Sequence, residues 1–116
     1  MIDTKKIDDI VVFKLMHRID LEQIQELNQK FQEFLEDNHR FFVLNMIDVK
    51  DISSSGIGQV LDMFHRLDAC CGRLVLSDLS AVCEYVLDLA RLTDIFPTYR
   101  NDAEAIASFG ISSLRV

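Results

Sequence analysis

The hydrophobic positions along the chain repeat with two alternating periods, one typical of strands and one typical of helices. β-Branched and apolar residues fill positions 10–15, and residues 1–6 supply a short strand before an Asp8-Asp9 turn. Residues 21–37 then predict an amphipathic helix, because their apolar side chains lie three or four positions apart: Leu21, Ile24, Leu27, Phe31, Phe34 and Leu35. Asp20 and Gln23 give this helix a start that resembles a capping box.

A second strand and helix follow the first pair. Residues 41–46 are mostly apolar and have the length of a strand. The helical period returns near Gly56, where the apolar positions are Ile57, Val60, Leu61, Phe64 and Leu67. Residues 48–58 therefore form the predicted junction between this strand and its helix.

The last part of the chain repeats the alternation twice more. Residues 73–77 predict a strand, and Ser80 is the natural N-cap of the helix that follows. Pro97 follows Ile95-Phe96 in a short strand that we expect at a sheet edge, because proline has no backbone N–H to donate to a neighbouring strand. A final helix, capped by residues 101–104, ends at Gly110.

Strands separated by helical segments predict an α/β fold in one domain. We place this domain at residues 1–110 and a C-terminal tail at residues 111–116, because no linker or repeat divides the 116-residue chain. Apolar runs are too short to cross a bilayer, and the acidic N-terminal segment is unlike a signal peptide, so we expect a cytoplasmic protein. A net charge of −7 argues against nucleic acid as a direct partner.

Candidate catalytic and metal-binding motifs are missing from the sequence. The three histidines, His17, His39 and His65, do not have metal-ligand spacing with one another or with cysteine. The sequence has three cysteines. Cys70 and Cys71 lack a C-x-x-C pattern, and Cys83 is most simply a small buried hydrophobic residue. Because nucleophile elbow, Walker loop and Rossmann fingerprint are also missing, we expect no enzyme activity, no metal and no cofactor.

The segment Ser53-Ser54-Ser55-Gly56-Ile57-Gly58 marks the turn from the second strand into its helix. In the simplest interpretation the hydroxyl groups cap the helix and the glycines permit a tight turn. The same position also tolerates a phosphate, because a helix N-terminus offers N–H groups and a positive dipole end. Asp48 and Asp51 would repel that phosphate and make the modified state distinct.

At this junction the sequence resembles the STAS domain of bacterial anti-sigma factor antagonists. Leu44-Asn45-Met46-Ile47-Asp48 and Ser54-Ser55-Gly56-Ile57-Gly58 match a strand ending and the signature D-S-[ST]-G-[LI]-G. The resemblance extends from about residue 7 to residue 109, and further matches lie at Ile19-Asp20, at residues 72–76, at residues 79–82 and at residues 92–96.

The resemblance implies a mixed sheet of about four to five strands flanked by about four helices, in a binding module used for partner switching. Such proteins bind an anti-sigma factor that is itself a serine kinase, and so release the sigma factor. Phosphorylation by that kinase ends the interaction, and a PP2C-type phosphatase restores it. The acceptor position of the family corresponds to Ser54, with Ser53 and Ser55 as alternatives because Ser53 replaces the usual acidic residue. His17 stands where the family has glycine.

We therefore expect a monomeric anti-sigma factor antagonist that is switched off by phosphorylation at Ser54. The partner-binding surface is predicted to combine the serine loop, the start of the first helix and the polar face of the next, with Met63 as an apolar anchor: Asp20, Ser53, Ser54, Ser55, Gly56, Ile57, Gly58, Gln59, Asp62, Met63 and Arg66. The alternative is a STAS-like scaffold that binds constitutively in a larger signalling assembly, with the serines acting only as helix caps.

Overall fold

The computed structural model describes residues 2–110, in which strands alternate with helices. The strands of this part of the chain are β1 (Asp3–Ile7), β2 (Ile10–Ile19), β3 (Phe41–Ile52), β4 (Arg73–Ser77) and β5 (Thr98–Tyr99). Its helices are α1 (Leu21–Glu36), α2 (Ser54–Ala69), α3 (Ala81–Leu89) and α4 (Asp102–Ala107). The predicted tail at residues 111–116 lies outside the described residues.

The strands form one mixed sheet in the order β1-β2-β3-β4-β5. β1 and β2 form the predicted antiparallel hairpin, closed by Asp8-Asp9, whereas β2 to β5 run parallel to their neighbours. Each parallel pair is connected through a helix, as a parallel connection requires. The predicted α/β architecture, with five strands and four helices within residues 2–110, is confirmed.

The two faces of the sheet bury different amounts of apolar surface. The larger core lies between the sheet and α1, α2 and α3, and its strand residues include Val11, Phe13, Leu15, Phe42, Leu44, Leu74 and Leu76. The smaller core lies on the opposite face, where Ala105 of α4 packs against Ile10, Val12, Val43 and Val75. Because successive side chains of a strand point to opposite faces, the continuously apolar runs of β2, β3 and β4 supply both cores.

β3 is longer than the sequence pattern predicted. Only its first part, residues 41–45, pairs with β4, and the rest continues to Ile52 beside β2 alone. The prediction ended this strand at residue 46 because the mostly apolar run ends before Asp48. In the structure the register with β2 shifts twice beyond Lys14, so the second part does not follow simple alternation. Val49 and Ile52 are nevertheless buried in the larger core. The junction predicted at residues 48–58 is therefore mostly strand and helix.

The helices begin at polar caps, and two boundaries differ from the prediction. α2 begins at Ser54, two residues before the expected start near Gly56. Ser80 caps α3 as predicted. The prediction that Ile95 and Phe96 form a strand is wrong: they lie in a turn, where Phe96 is buried in the larger core and β5 begins only after Pro97. β5 does lie at the sheet edge. Among the described residues, no helix has the length and apolar content that a membrane span needs.

Candidate functional site

Ser53 forms the corner between the end of β3 and the start of α2. Its side-chain oxygen accepts a hydrogen bond from the backbone N–H of Gly56 at 3.1 Å, the usual role of an N-cap residue. The same hydroxyl donates to the carbonyl oxygen of Ile19, the last residue of β2, at 3.2 Å. Ser53 therefore connects β2, β3 and α2, and its hydroxyl is used both as donor and as acceptor.

Gly56 allows α2 to approach the ends of these two strands closely. A Cβ atom at position 56 would lie 2.7 Å from Cγ2 of Ile19 and 3.1 Å from Cγ1 of Ile52. Both isoleucines are buried, so neither the methyl group of Ile19 nor the methylene group of Ile52 has room to move away. Gly58 has no such neighbour, because a Cβ atom there would meet nothing within 4 Å. The two glycines of the motif thus have different structural roles.

The start of α1 lies beside this corner, since β2 and β3 are parallel neighbours and each leads into a helix. Asp20 is the N-cap of α1 and accepts from the backbone N–H of Gln23 at 3.0 Å, as the sequence predicted. The side chain of Gln23 does not complete a capping box. It is buried and bonds the backbone of β2 instead, accepting from Met16 N–H at 2.9 Å and donating to the carbonyls of Met16 and Arg18.

Gln23 holds β2 at the place where its pairing with β3 becomes irregular. The register shifts between Lys14 and Met16 and again between His17 and Arg18. His17 has φ of 48°, a left-handed conformation that a side chain opposes. A glycine would adopt this backbone conformation more easily than histidine. The three hydrogen bonds of Gln23 replace strand-to-strand hydrogen bonds where the pairing of β2 with β3 is irregular. The sequence did not indicate this role of Gln23, because a glutamine in an amphipathic helix is ordinarily expected to face solvent.

Ser54 and Ser55 occupy the first turn of α2 and are both exposed to solvent. Within residues 2–110, neither hydroxyl makes a hydrogen bond, in contrast to that of Ser53. The exposed hydroxyl of Ser54 is attached to the first helical residue, where N–H groups without intrahelical partners create a positive end.

The carboxylates expected to repel an anion at this site are paired with cations of β2. Asp48 lies 3.3 Å from Lys14, and Asp51 lies 3.5 Å from Arg18. These pairs are partly or largely exposed to solvent, where such interactions contribute little to stability. Their effect is on the local charge: Lys14 and Arg18 offset the two acids that flank the serine loop.

The polar face of α2 lies partly against α1. Arg66 donates to Asn28 and Gln32 of α1, and its guanidinium lies 5.1 Å from the centre of the Phe31 ring. Gln59 also donates to Asn28, at 3.4 Å. The two side chains thus contribute to packing between the helices, whereas Asp62 and Gly58 are exposed and Ile57 is half-buried.

The prediction that Met63 provides an exposed apolar anchor is wrong. Its exposed fraction is 0%, because it points into the larger core between the helices and the sheet. Gly56 is buried as well, so it shapes the surface without forming it. The exposed apolar side chain at this end of the molecule is Leu21, the first residue of α1, with 67% of its surface accessible. The sequence pattern had assigned Leu21 to the buried stripe of α1.

The thiols and imidazoles do not assemble into a reactive centre. Cys83 is buried as predicted, and burial raises the pKa of its thiol, which keeps it protonated. His65 is exposed, and His39 is buried beneath Phe34 with its Nδ1 3.7 Å from Asp37. In the described part of the chain, no three His, Cys, Asp or Glu side chains are grouped so that they could hold a metal ion.

Comparison with solved structures shows the same fold in several other proteins. The anti-sigma factor antagonist SpoIIAA in its unphosphorylated form superposes with a TM-score of 0.82 at 21% identity, over 94% of this chain and 96% of that one. Phosphorylated SpoIIAA from Bacillus gives a TM-score of 0.76 at 21% identity, over 94% and 99% of the two chains. The protein TM1081 from Thermotoga maritima gives 0.81 at 25% identity, over 92% of each.

The family model for the STAS domain matches residues 1–105, which include every strand and most of the helical residues described above. The strand order of the sheet and the serine loop at the start of α2 are consistent with this family match. The chain belongs to the STAS domain family.

Proposed function

We propose that this protein is an anti-sigma factor antagonist controlled by phosphorylation of Ser54. In its unmodified form it binds an anti-sigma factor that is also a serine kinase, and the sigma factor is released. Phosphorylation by that kinase ends the interaction, and a PP2C-type phosphatase reverses the modification. The observation that carries this proposal is the exposed hydroxyl of Ser54 in the first turn of α2, in a chain of the STAS domain family.

The hydrogen bonds of the serine loop favour Ser54 over Ser53 as the acceptor. A phosphoryl group on Ser53 would replace the hydroxyl proton donated to Ile19 and crowd the N–H of Gly56. Modification at Ser53 would therefore disrupt the cap of α2, whereas modification at Ser54 leaves it intact. Ser55 remains the structural alternative, because its side chain is also exposed.

A phosphate on Ser54 is compatible with the fold but not with a partner that fits the neutral hydroxyl. The N-terminal end of α2 stabilises the added negative charge, so the module itself stays folded. Lys14 and Arg18 are already paired with Asp48 and Asp51, so they are poorly placed to neutralise the phosphate. The phosphate would remain directed towards the partner, where burying an uncompensated charge is strongly unfavourable.

The proposed partner surface combines the serine loop with the start of α1. It includes Asp20, Ser53 to Ser55, Gly58 and Asp62, with Leu21 as its exposed apolar contact. Gln59 and Arg66 support this surface from the contact between the helices. An antagonist of this kind acts by binding its partner and needs no catalytic activity of its own. We propose that it acts as a monomer.

A phosphorylation assay with the candidate anti-sigma kinases of the host, followed by peptide mass spectrometry, tests the proposal. Incorporation should map to Ser54, disappear in Ser54→Ala and persist in Ser55→Ala, which removes an equally exposed hydroxyl from the same turn. Ser54→Asp should bind the kinase far more weakly than the unmodified protein does.

Two results would contradict the proposal. Incorporation that persists in Ser54→Ala would assign the acceptor elsewhere. Tight binding by Ser54→Asp, or binding without incorporation by any cognate kinase, would instead indicate a constitutive STAS scaffold in which the serines only cap α2. The cap made by Ser53 is the observation that favours this second candidate.

A further inference from the structure

A groove lies at the carboxyl ends of β4 and β5, away from the serine loop. One part of it is a cavity of about 450 Å³ between the edge of β3, the start of α3 and the first turn of α4. A second hollow runs along α3 and shares Glu84 and Thr93 with the first, so the two are continuous. We call this surface the α3 groove and define it by Ile47, Asp78, Glu84, Tyr85, Asp88 and Glu104.

The charge of the α3 groove is predominantly negative. Four carboxylates line it, whereas Arg100 is the one cation among its described lining residues and is bonded to Glu104 at 2.8 Å. Within residues 2–110, Asp78, Glu84 and Asp88 make no ion pair. Asp78 accepts a hydrogen bond from the neutral amide of Asn45 at 3.0 Å, which holds the carboxylate in place without offsetting its charge.

The same surface exposes large apolar side chains. Ile47 is 48% exposed, whereas Met46 before it is buried, because successive side chains of β3 point to opposite faces of the sheet. Tyr85 of the groove is 64% exposed, and Leu89, which borders the groove one turn further along the same side of α3, is 67% exposed. Apolar side chains grouped within a polar rim are typical of a surface that contacts another macromolecule.

We propose that the α3 groove binds a basic amphipathic segment of another protein. Lysine or arginine side chains of that segment would meet Asp78, Glu84 and Asp88, and its apolar side chains would cover Ile47 and Tyr85. The charge of the groove determines this assignment, because nucleic acid and anionic lipid would be repelled. A second copy of this chain, with a net charge of −7, is also disfavoured.

This inference goes beyond the Ser54 switch, since the groove shares no residue with the proposed kinase surface. Binding at the groove should therefore be independent of phosphorylation. One module could contact its kinase through the serine loop and a second, basic partner through α3. The two proposals can fail separately, because the phosphorylation assay does not require the groove and the following assay does not require Ser54.

Fluorescence anisotropy with a labelled amphipathic Lys–Leu peptide tests the groove at physiological salt. Two paired variants separate its charged and apolar parts: Glu84→Lys with Asp88→Lys, and Tyr85→Ser with Leu89→Ser. Each should weaken peptide binding by about tenfold. The control variant Glu33→Lys with Glu36→Lys makes the same charge change on exposed residues of α1 and should weaken it by less than about threefold.

Ser54→Asp should bind the peptide as the unmodified protein does, and the groove variants should remain substrates for phosphorylation at Ser54. Equal weakening by the groove and control charge variants would overturn the proposal, because it would show only general attraction between an acidic protein and a basic peptide. Sedimentation that shows self-association of the unmodified protein, lost in the groove variants, would also overturn it and assign the surface to a second copy of the chain.

Discussion

Gly56→Ala is expected to destabilise the protein, whereas Gly58→Ala, two residues further along the same helix, is expected to stabilise it. The new methyl group at position 56 would lie 2.7 Å from Cγ2 of Ile19 and 3.1 Å from Cγ1 of Ile52. At position 58 the methyl group would enter open space. The pair therefore separates the steric requirement of the corner from the general effect of replacing glycine in a helix.

The magnitudes follow from two opposing terms. Alanine is favoured over glycine by about 1 kcal/mol in a helix interior, and by somewhat less in a first turn. Overpacking a core usually costs about 1–3 kcal/mol, and the upper part of that range applies here because the contacted methyl group belongs to a buried, β-branched side chain. Gly56→Ala should thus lose about 1–2 kcal/mol, and Gly58→Ala should gain about 0.5–1 kcal/mol.

Urea unfolding followed by circular dichroism measures both variants, since the chain has no tryptophan to serve as a fluorescent probe. The midpoints should move in opposite directions while the slope stays unchanged, because the exposed surface of the unfolded state is the same. Thermal midpoints should differ between the two variants by roughly 10 °C. If Gly56→Ala proved as stable as Gly58→Ala, the close approach of α2 to Ile19 would not be what requires glycine.

Three further predictions concern Asn45, Ser80 and Cys83. Asn45→Asp should lower the free energy of unfolding by about 3 kcal/mol at neutral pH, because a third carboxylate would replace the amide that donates to Asp78 and Asp102. Unfolding measurements near about pH 4, where carboxyl groups protonate, should recover part of this loss. Ser80→Ala should cost about 1 kcal/mol in urea unfolding through the lost cap of α3, and unchanged stability would contradict that role. Burial raises the pKa of the Cys83 thiol, so the folded state holds its proton longer than the unfolded state. Stability should therefore fall as pH rises above about 8.5, and Cys83→Ala should abolish this slope.

The sequence allowed most of the elements to be predicted because their signals are local. The caps at Asp20, Ser80 and Asn101 use short side chains that bond the next turn of their own helices, so they can be recognised without knowledge of the tertiary structure. The strand at residues 73–77 was also predicted with its observed bounds, since its apolar run is uninterrupted.

Two of the features that escaped prediction depend on contacts between distant residues, and one does not. Met63 lies three residues after Val60 and four before Leu67, so the helical period already placed it on the buried stripe of α2, and the interpretation as an exposed anchor overlooked this spacing. Leu21 was assigned to a buried stripe although α1 begins beyond the edge of the core. Gln23 looked like a capping residue, but the irregular backbone of β2 offers it better partners. The errors at Leu21 and Gln23 have the same physical origin, because packing between elements overrides local preference.

The second part of β3, residues 46–52, bears on which positions of the protein can accept substitutions. Beyond Asn45 this strand no longer pairs with β4 and has only β2 as a neighbouring strand, and its residues Lys50 and Asp51 are exposed to solvent. Substitutions on its exposed positions alter the chemistry presented to a binding protein without opening cavities in the core. In this part of β3 the exposed positions Lys50 and Asp51 can therefore vary while Val49 and Ile52 keep the core filled.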